Sequence, residues 1–384
     1  MPGFIMKFFY FDNAATTAVD PKVLSVMRPY FNQKFGNASE MHFAGQEARR
    51  AIEEARGKVA TFLHANPDEI IFTGSATESI NLAHKGLAEA LGKAHFIISA
   101  IEHKAVLEAC RHLKNLRKID LTILPVDKYG QINLKDLEKA VKAETVLVSI
   151  MYVNNEVGTI QPIKEIGEFL KRTNPKIYFH TDATQAVQYL DCRVDSLGVD
   201  LLSLTGHKIY APKGVGALYI KKGIPLVRQM DGGNQEFKLR AGTENVPSIV
   251  GLGEAIQLIP KNKSPKTLCN KLIQEILKIP GIKLTGHPTK RAPHIASFVI
   301  KGVEGEAVAL LLSDKGIMIS TGSACTSTEL SPSHVLTAMG IPPEVSHGSV
   351  RFSLGKETTR QETEYVIRVL PEIIKKLRIM SPKL

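Results

Sequence analysis

The chain has 384 residues, 43% of them hydrophobic and 23% charged, which is enough for a large core and predicts two domains. Because no apolar stretch approaches the length of a membrane-spanning helix and the N-terminus lacks the pattern of a signal peptide, we predict a cytoplasmic protein without a membrane partner. The formal net charge is +11, but the Lys and Arg residues are scattered without an aromatic-rich motif, which disfavours direct nucleic-acid binding.

Apolar, β-rich runs alternate with longer amphipathic segments in the first two thirds of the chain. Strands are predicted at 70–73, 96–100, 121–126, 145–151, 177–180 and 201–204, and helices at 103–116, 134–141 and 163–172. This alternation predicts an α/β fold with a mostly parallel central sheet and helices on both faces. Ligands of such sheets bind beyond the carboxyl ends of the strands.

The sequence changes character after Pro260. Residues 261–265 form a polar linker, and strands are predicted beyond it at 295–300 and 350–354, with helices between and around them. The expected division is a large domain of residues 12–258 and a smaller α+β domain formed by 1–11 and 259–384.

Lys208 comes four positions after the end of the apolar run 199–204, and Gly206 and His207 directly precede it. A lysine at the end of a buried strand can form a Schiff base with an aldehyde cofactor, provided that its surroundings keep the amine neutral. Asp182 ends the preceding predicted strand, where a carboxylate can keep a pyridine nitrogen protonated. A helix-capping Asp and a surface Lys explain each residue singly, but the two in this order predict a pyridoxal phosphate site.

Several loops are suited to a phosphate group. Residues 73–79 follow a strand and open a helix, so their amides and hydroxyls can face an anion, although ordinary helix capping explains the same residues. Thr205 and His207 add further donors beside the candidate lysine. Residues 240–245 form another glycine-containing loop, which completes either its own site or that of a neighbouring subunit.

Cys325 lies in a segment of small residues within 319–331, which predicts a mobile, exposed loop. A thiol in such a loop is reactive because it is accessible, whereas Cys110 and Cys269 lie in helical patterns typical of buried cysteines. The four cysteines are widely spaced without a C-x-x-C pair, so we expect neither a disulfide framework nor a metal site. Arg351, on a short predicted strand, can clamp a carboxylate, although a salt bridge on the strand face explains it nearly as well.

Together these motifs resemble the cysteine desulfurases of the NifS/IscS type, which are class-V aminotransferases of pyridoxal phosphate fold type I. The resemblance runs from residues 11–17 to 351–355, and its most specific motifs are 76–79, 102–104, 154–158, 182–185, 206–208 and the Cys325 loop. It implies a three-layer fold, a homodimer, and a role in iron–sulfur cluster assembly or thiolation through a sulfur-acceptor or scaffold protein.

The resemblance also implies residue roles. Lys208 binds the cofactor and transfers protons, Asp182 pairs with the pyridine nitrogen, and His103 stacks on the ring. Gln185 is implied to contact the ring hydroxyl, and Asn155 is implied as a further cofactor contact. The cofactor phosphate is implied to be held by Ala76, Thr77, Thr205 and His207, and by Thr243 of the other subunit.

The substrate L-cysteine is implied to bind through its carboxylate to Asn155 and Arg351. Cys325 then takes the substrate sulfur as a persulfide and leaves L-alanine. The alternatives are a selenocysteine lyase or another class-V aminotransferase, neither of which needs the Cys325 thiol, and a non-enzymatic scaffold, which the intact Lys208, Asp182 and Arg351 disfavour.

Overall fold

A computed structural model describes residues 8–321 and 332–380. Its strands are β1 (Phe9–Tyr10), β2 (Ile70–Thr73), β3 (Ala94–Ser99), β4 (Ile119–Leu124), β5 (Thr145–Ser149), β6 (Tyr178–Asp182), β7 (Leu201–Thr205), β8 (Gly216–Ile220), β9 (Ile282–Leu284), β10 (Ile295–Ile300), β11 (Ile317–Met318), β12 (Ser320–Thr321) and β13 (Ser349–Ser353).

The helices of the described ranges are α1 (Pro21–Met27), α2 (Pro29–Asn32), α3 (Phe43–Leu63), α4 (Ala76–Leu91), α5 (Lys104–Asn115), α6 (Leu134–Ala140), α7 (Ile163–Thr173), α8 (Val194–Leu197), α9 (Val246–Leu258), α10 (Lys266–Ile276), α11 (Gly305–Ser313), α12 (His334–Ala338), α13 (Pro343–Ser346) and α14 (Arg360–Met380).

The central sheet has the strand order β2-β8-β7-β6-β5-β3-β4 within the described residues. Strands β3 to β7 pair in parallel, and β8 is antiparallel to both of its neighbours, β2 and β7. The prediction of an α/β fold with a mostly parallel sheet is therefore confirmed. The sequence analysis missed β8, which comes directly after the turn that follows β7.

Side chains alternate between the two faces of this sheet and pack under two sets of helices. Ile70 and Phe72 join a buried cluster that includes side chains of α3, α7 and α9. Ile71, between them, belongs to the cluster on the other face, which includes side chains of α4 and α5. Successive strand side chains point to opposite faces, so burying both rows requires helices on both sides.

The carboxyl ends of the parallel strands meet at one edge of the sheet, and β2 runs in the same direction because β8 is antiparallel to both β2 and β7. Five of these strands, all except β4, lead to a predicted site residue. Thr77 lies in the first turn of α4 after β2, the loops after β3 and β5 carry His103 and Asn155, β6 ends at Asp182, and the turn after β7 carries Lys208.

A second sheet, with the order β12-β13-β10-β9 in the described ranges, is antiparallel. It packs with α10, α11 and α14 around a separate buried cluster that contains Phe298 and Phe352. Phe11 packs in the same cluster, and β1 pairs in parallel with β11. The start of the described chain is thus attached to its C-terminal part, while the exact domain boundaries stay a prediction.

Within the described ranges, none of the helices combines the length and apolar character that crossing a bilayer requires.

Candidate active site

A cavity of about 340 Å³ lies at the carboxyl edge of the central sheet. Its wall includes most of the predicted site residues: Ala76, Thr77, His103, Asn155, Asp182, Gln185, Thr205, His207, Lys208 and Arg351. Residues from the carboxyl ends of five strands of the central sheet (β2, β3, β5, β6 and β7) and from β13 therefore converge on one space.

Lys208 ends a single 3-10 turn, Gly206–Lys208, that directly follows β7. The turn packs tightly, since a Cβ on Gly206 would lie 2.8 Å from Val215 Cγ1. The Lys208 ammonium donates hydrogen bonds to the carbonyl oxygens of Ala14 at 2.6 Å and Ala15 at 2.5 Å. These contacts hold the amine at the wall of the cavity.

Asp182 and His103 form the wall beside the lysine. Asp182 is 5% exposed, and its carboxylate accepts a hydrogen bond from the backbone N–H of Thr184 at 2.9 Å. His103 is the N-cap of α5, and its Nδ1 accepts from the backbone N–H of Ala105 at 3.1 Å. Burial lowers the pKa of His103, the Asp182 carboxylate opposes this shift, and the Lys208 charge adds to it. The ring is consequently neutral at pH 7, with its proton on Nε2.

At another part of the wall, α4 begins at Ala76. The Ser75 hydroxyl caps this 16-residue helix by accepting from the backbone N–H of Glu78 at 3.2 Å. The first N–H groups of a helix have no intrahelical acceptor and carry partial positive charge, so they attract an anion. His207 lies on the same cavity wall, and burial with the Lys208 charge lowers its pKa to about 4, which keeps the ring neutral.

Arg351 lies on β13 and is buried except for a small fraction of its surface. Its Nη1 donates to the carbonyl oxygen of Asn155 and its Nη2 donates to Asp12 Oδ1, both at 2.8 Å. The guanidinium is thereby fixed across the cavity wall. Asp12 was missed by the sequence analysis, although it belongs to the N-terminal motif that carried the resemblance.

Two buried carboxyl groups near the cavity were also missed. Glu102 is fully buried and accepts hydrogen bonds from the Ser99 hydroxyl at 2.5 Å and from the backbone N–H of Met151. Burial, and to a smaller extent the Asp182 charge, raises the pKa of Glu102 to about 8. Glu156 lies on the cavity wall, and burial raises its pKa to about 7 against the opposing effects of Ser333 and Arg351.

The remaining predicted residues have different surroundings. The Gln185 side-chain amide donates to the carbonyl oxygen of Ala14 at 2.9 Å. Thr243 is exposed on this chain and lies away from the cavity wall. Cys325 and most of its predicted loop lie outside the described residues.

The cysteines that the structure describes, Cys110, Cys192 and Cys269, are buried and not in disulfides. Burial raises the pKa of the Cys269 thiol to about 12. Such thiols stay protonated at neutral pH and are weak nucleophiles. Among the described residues, no group of three or more His, Cys, Asp or Glu side chains is arranged to hold a metal ion.

The fold and the site define a member of a known enzyme class. The chain belongs to the aminotransferase class-V family, whose model matches residues 9–366. It is similar to the "Cysteine desulfurase IscS" of Methanosarcina thermophila, with 49% identity over 98% of this chain and 94% of the relative. The resemblance to the cysteine desulfurases that the sequence motifs indicated is confirmed.

Two solved structures are also similar to this chain. A "NIFS-LIKE PROTEIN" is 38% identical with a TM-score of 0.90, covering 96% of this chain and 100% of that one. A structure described as "SspA in complex with cysteine" is 38% identical with a TM-score of 0.82, covering 91% of this chain and 99% of that one. Both similarities agree with the predicted fold type.

Proposed function

We propose that the protein is a pyridoxal phosphate-dependent cysteine desulfurase, which converts L-cysteine to L-alanine and transfers the sulfur to Cys325 as a persulfide. The observation that carries the proposal is the convergence of Lys208, Asp182 and the start of α4 on one cavity. Relatives named cysteine desulfurase, over nearly the whole chain, and a similar structure in complex with cysteine support the choice of reaction and substrate.

The residues of the cavity fit pyridoxal phosphate. An amine for its aldehyde is present in Lys208, a buried carboxylate for its pyridine nitrogen in Asp182, and an anion-binding helix start for its phosphate at Ala76 and Thr77. When bound, the cofactor supplies an electron sink that makes the substrate carbon beside the amino group acidic. The cavity wall also offers Thr205, His207 and Gln185 as hydrogen-bonding groups.

Substrate orientation is assigned to Arg351. Its bonds to Asp12 and Asn155 use two of the five N–H donors of the guanidinium, and they fix its plane. A planar, preorganised guanidinium is well suited to a carboxylate. The substrate carboxylate is therefore placed against Arg351 and Asn155.

Proton transfer is assigned to Lys208 and His103. An amine can take the proton of the substrate carbon and return it during formation of alanine. His103, neutral and with a proton on Nε2, can stack on an aromatic ring without bringing a second positive charge close to Lys208. The opposing effects of Asp182 and Lys208 on the His103 pKa agree with the three groups lying close together.

Sulfur transfer is assigned to Cys325. Thr321, four positions before it in the sequence, lies on the cavity wall. The Cys325 thiolate attacks the substrate sulfur, an S–S bond forms, and the substrate C–S bond breaks. The electron pair of that bond stays on the carbon fragment, which takes up a proton and leaves as alanine. The sulfur is oxidised and the carbon reduced, so no further oxidant is needed.

A homodimer is part of the proposal. Phe31, Phe35, Met41 and Phe43 lie within 13 consecutive residues, and all are exposed on the single chain, Phe35 by 76% and Met41 by 90%. Large apolar side chains clustered at a surface are typical of an interaction site. We assign that contact to a second copy, with Thr243 reaching the partner's phosphate site, and we expect a sulfur-acceptor protein to remove the persulfide sulfur.

The test is incubation of the purified protein with L-cysteine, with alanine and sulfide measured over time. Equal amounts of alanine and transferable sulfur are expected, and mass spectrometry should find one added sulfur on the peptide that contains Cys325. Absence of alanine formation, or a persulfide confined to Cys110, Cys192 or Cys269, would contradict the mechanism. Selenocysteine as a parallel substrate separates a selenocysteine lyase from a desulfurase.

A further inference from the structure

The side-chain amide of Gln185 is held from two sides. Its nitrogen donates to the carbonyl oxygen of Ala14, the same oxygen that accepts from Lys208. Its Oε1 lies 3.4 Å from Nε2 of His294, which directly precedes β10 of the second sheet. His294 is only 4% exposed and is not part of the wall of the large cavity, whereas Gln185 is. A buried histidine outside the cavity therefore contacts a residue of its wall.

The protonation state of His294 follows from these surroundings. Burial, with smaller effects of the Arg351 and Lys208 charges, lowers its pKa to about 3, so the ring is neutral at pH 7 and carries one N–H. Because the nitrogen of Gln185 faces a carbonyl oxygen, its Oε1 faces His294 and accepts that N–H from Nε2. Nδ1 of His294 has no hydrogen-bond partner among the described residues.

His294 and Ala14 together determine the orientation of the Gln185 amide. Turning the amide over would place its oxygen against the Ala14 carbonyl and its nitrogen against the N–H of His294, and neither contact is a hydrogen bond. In the orientation that the structure has, Ala14 takes one of the two amide hydrogens. The second hydrogen is available to an acceptor in the large cavity, which Gln185 lines.

Backbone and ring contacts fix His294 itself. Its carbonyl oxygen accepts from the backbone N–H of Leu354 at 2.8 Å, directly after β13, the strand that carries Arg351. Its ring lies against the ring of Tyr189, with centroids 4.6 Å apart. The imidazole is thus held in place by the second sheet and can hold Gln185 in one orientation.

We propose that His294 is a positioning residue that keeps an N–H of the Gln185 amide directed at the ring hydroxyl oxygen of the cofactor. This inference rests on the proposed function and adds a residue that contacts neither cofactor nor substrate. A hydrogen bond donated to that oxygen stabilises negative charge on it, which lowers the proton affinity of the nitrogen that joins the cofactor to Lys208. Loss of His294 should weaken cofactor binding and raise the pH at which the visible absorption of the lysine-bound cofactor changes.

Packing against Tyr189 is a simpler role for His294, and two substitutions separate the two roles. His294→Phe keeps an aromatic ring against Tyr189 but has no hydrogen-bond donor. His294→Gln loses the ring but keeps an amide N–H that can be donated to Gln185. The positioning role predicts an effect in the phenylalanine variant and retention in the glutamine variant, whereas a packing role predicts the reverse.

The experiment measures the dissociation constant of pyridoxal phosphate by equilibrium dialysis and the absorption of the cofactor-loaded protein over a range of pH. His294→Phe should raise the dissociation constant about two- to tenfold, the range for one neutral hydrogen bond. It should also move the absorption change to higher pH by up to about one pH unit. His294→Gln should match the wild type in both measurements.

A double-substitution cycle shows whether the effect depends on Gln185. In a Gln185→Leu background the acceptor of the His294 proton is absent, so His294→Phe should cause no further change in the dissociation constant or in the absorption. Thermal unfolding of every variant identifies loss of folding, and His294→Leu, with a smaller side chain, replaces His294→Phe if the latter does not fold.

His84→Phe is the matched control. His84 is another fully buried histidine, its Nε2 has no partner among the described residues, and burial lowers its pKa to about 4. It is not part of the wall of the large cavity and has no printed contact with Gln185. Its replacement should leave the dissociation constant and the absorption unchanged.

Wild-type values of both measurements in folded His294→Phe, or an equal loss in the Gln185→Leu background, overturn the positioning role while the desulfurase proposal stands. A wild-type protein that binds no pyridoxal phosphate and forms no alanine overturns the proposed function instead.

Discussion

Replacing Arg351 by lysine tests the substrate site most directly. The guanidinium bridges Asp12 Oδ1 and the carbonyl oxygen of Asn155 with two different nitrogens, each at 2.8 Å. A lysine ammonium is a single point charge at the end of a flexible stem, so it cannot hold both partners and a substrate carboxylate in one fixed plane. The variant keeps the positive charge but loses the geometry.

The magnitude follows from the contacts that are lost. One hydrogen bond to a charged group contributes about 1.5–3 kcal/mol, which corresponds to a decrease in kcat/KM of about 10- to 150-fold. Most of the decrease should appear in KM, because the carboxylate is bound in the ground state and in the transition state alike. Alanine formation over a range of L-cysteine concentrations gives both constants.

Arg291→Lys is the control for loss of a buried guanidinium. Arg291 donates to the carbonyl oxygens of Ile295 and Val157 and is not part of the cavity wall. This variant should lose stability and retain KM. An unchanged kcat/KM in folded Arg351→Lys, or an equal rise of KM in both variants, refutes the assignment of Arg351 to the substrate carboxylate.

Four further predictions test other parts of the site. Lys208→Ala should abolish alanine formation and remove the visible absorption of lysine-bound cofactor, measured by spectrophotometry. Cys325→Ala should bind cysteine but release almost no sulfide, whereas Cys192→Ala, a buried thiol, should keep the wild-type sulfide rate in the same assay. Thr243→Ala should weaken cofactor retention in equilibrium dialysis by about 1.5–3 kcal/mol, as expected for one lost hydrogen bond to a charged group. The pKa of Glu102 is raised to about 8 in the folded protein, so between about pH 5 and 8 the folded state binds a proton that the unfolded state has lost. The free energy of unfolding should therefore fall by up to about 1.4 kcal/mol for each pH unit in this range. Denaturant titrations at several pH values should find a smaller decrease with pH in Glu102→Gln.

Local sequence was sufficient for most of the central sheet. The parallel strands β3 and β7 are rich in apolar residues and buried throughout, and burial on both faces produces that pattern. The run Gly216–Ile220 was left unassigned, although it is buried throughout as β8. Its place between β2 and β7 depends on pairing with strands that are distant in sequence, and periodicity carries no information about such pairing.

The residues of the candidate site likewise fall into those that local sequence could predict and those that it could not. Asp182 and Lys208 were predictable because strand direction brings their chain positions to one edge of the sheet. Asp12 was not, since its contact with Arg351 joins residues 339 positions apart. Glu156 and Ser333, 177 positions apart, are a second such pair. A local motif predicts candidate residues, but which of them are in contact depends on how the two sheets pack.

Burial raises the pKa of the carboxyl groups at and near this cavity and lowers the pKa of its histidines, and both effects have one physical cause. Removing water disfavours the charged form of every group, which lowers the pKa of His103 and raises those of Glu102 and Glu156. All three shifts move the groups towards neutrality near pH 7. Asp182, Lys208 and the Asp12–Arg351 pair lie on the same cavity wall, and the proposed function assigns them to the cofactor nitrogen, the aldehyde and the substrate carboxylate.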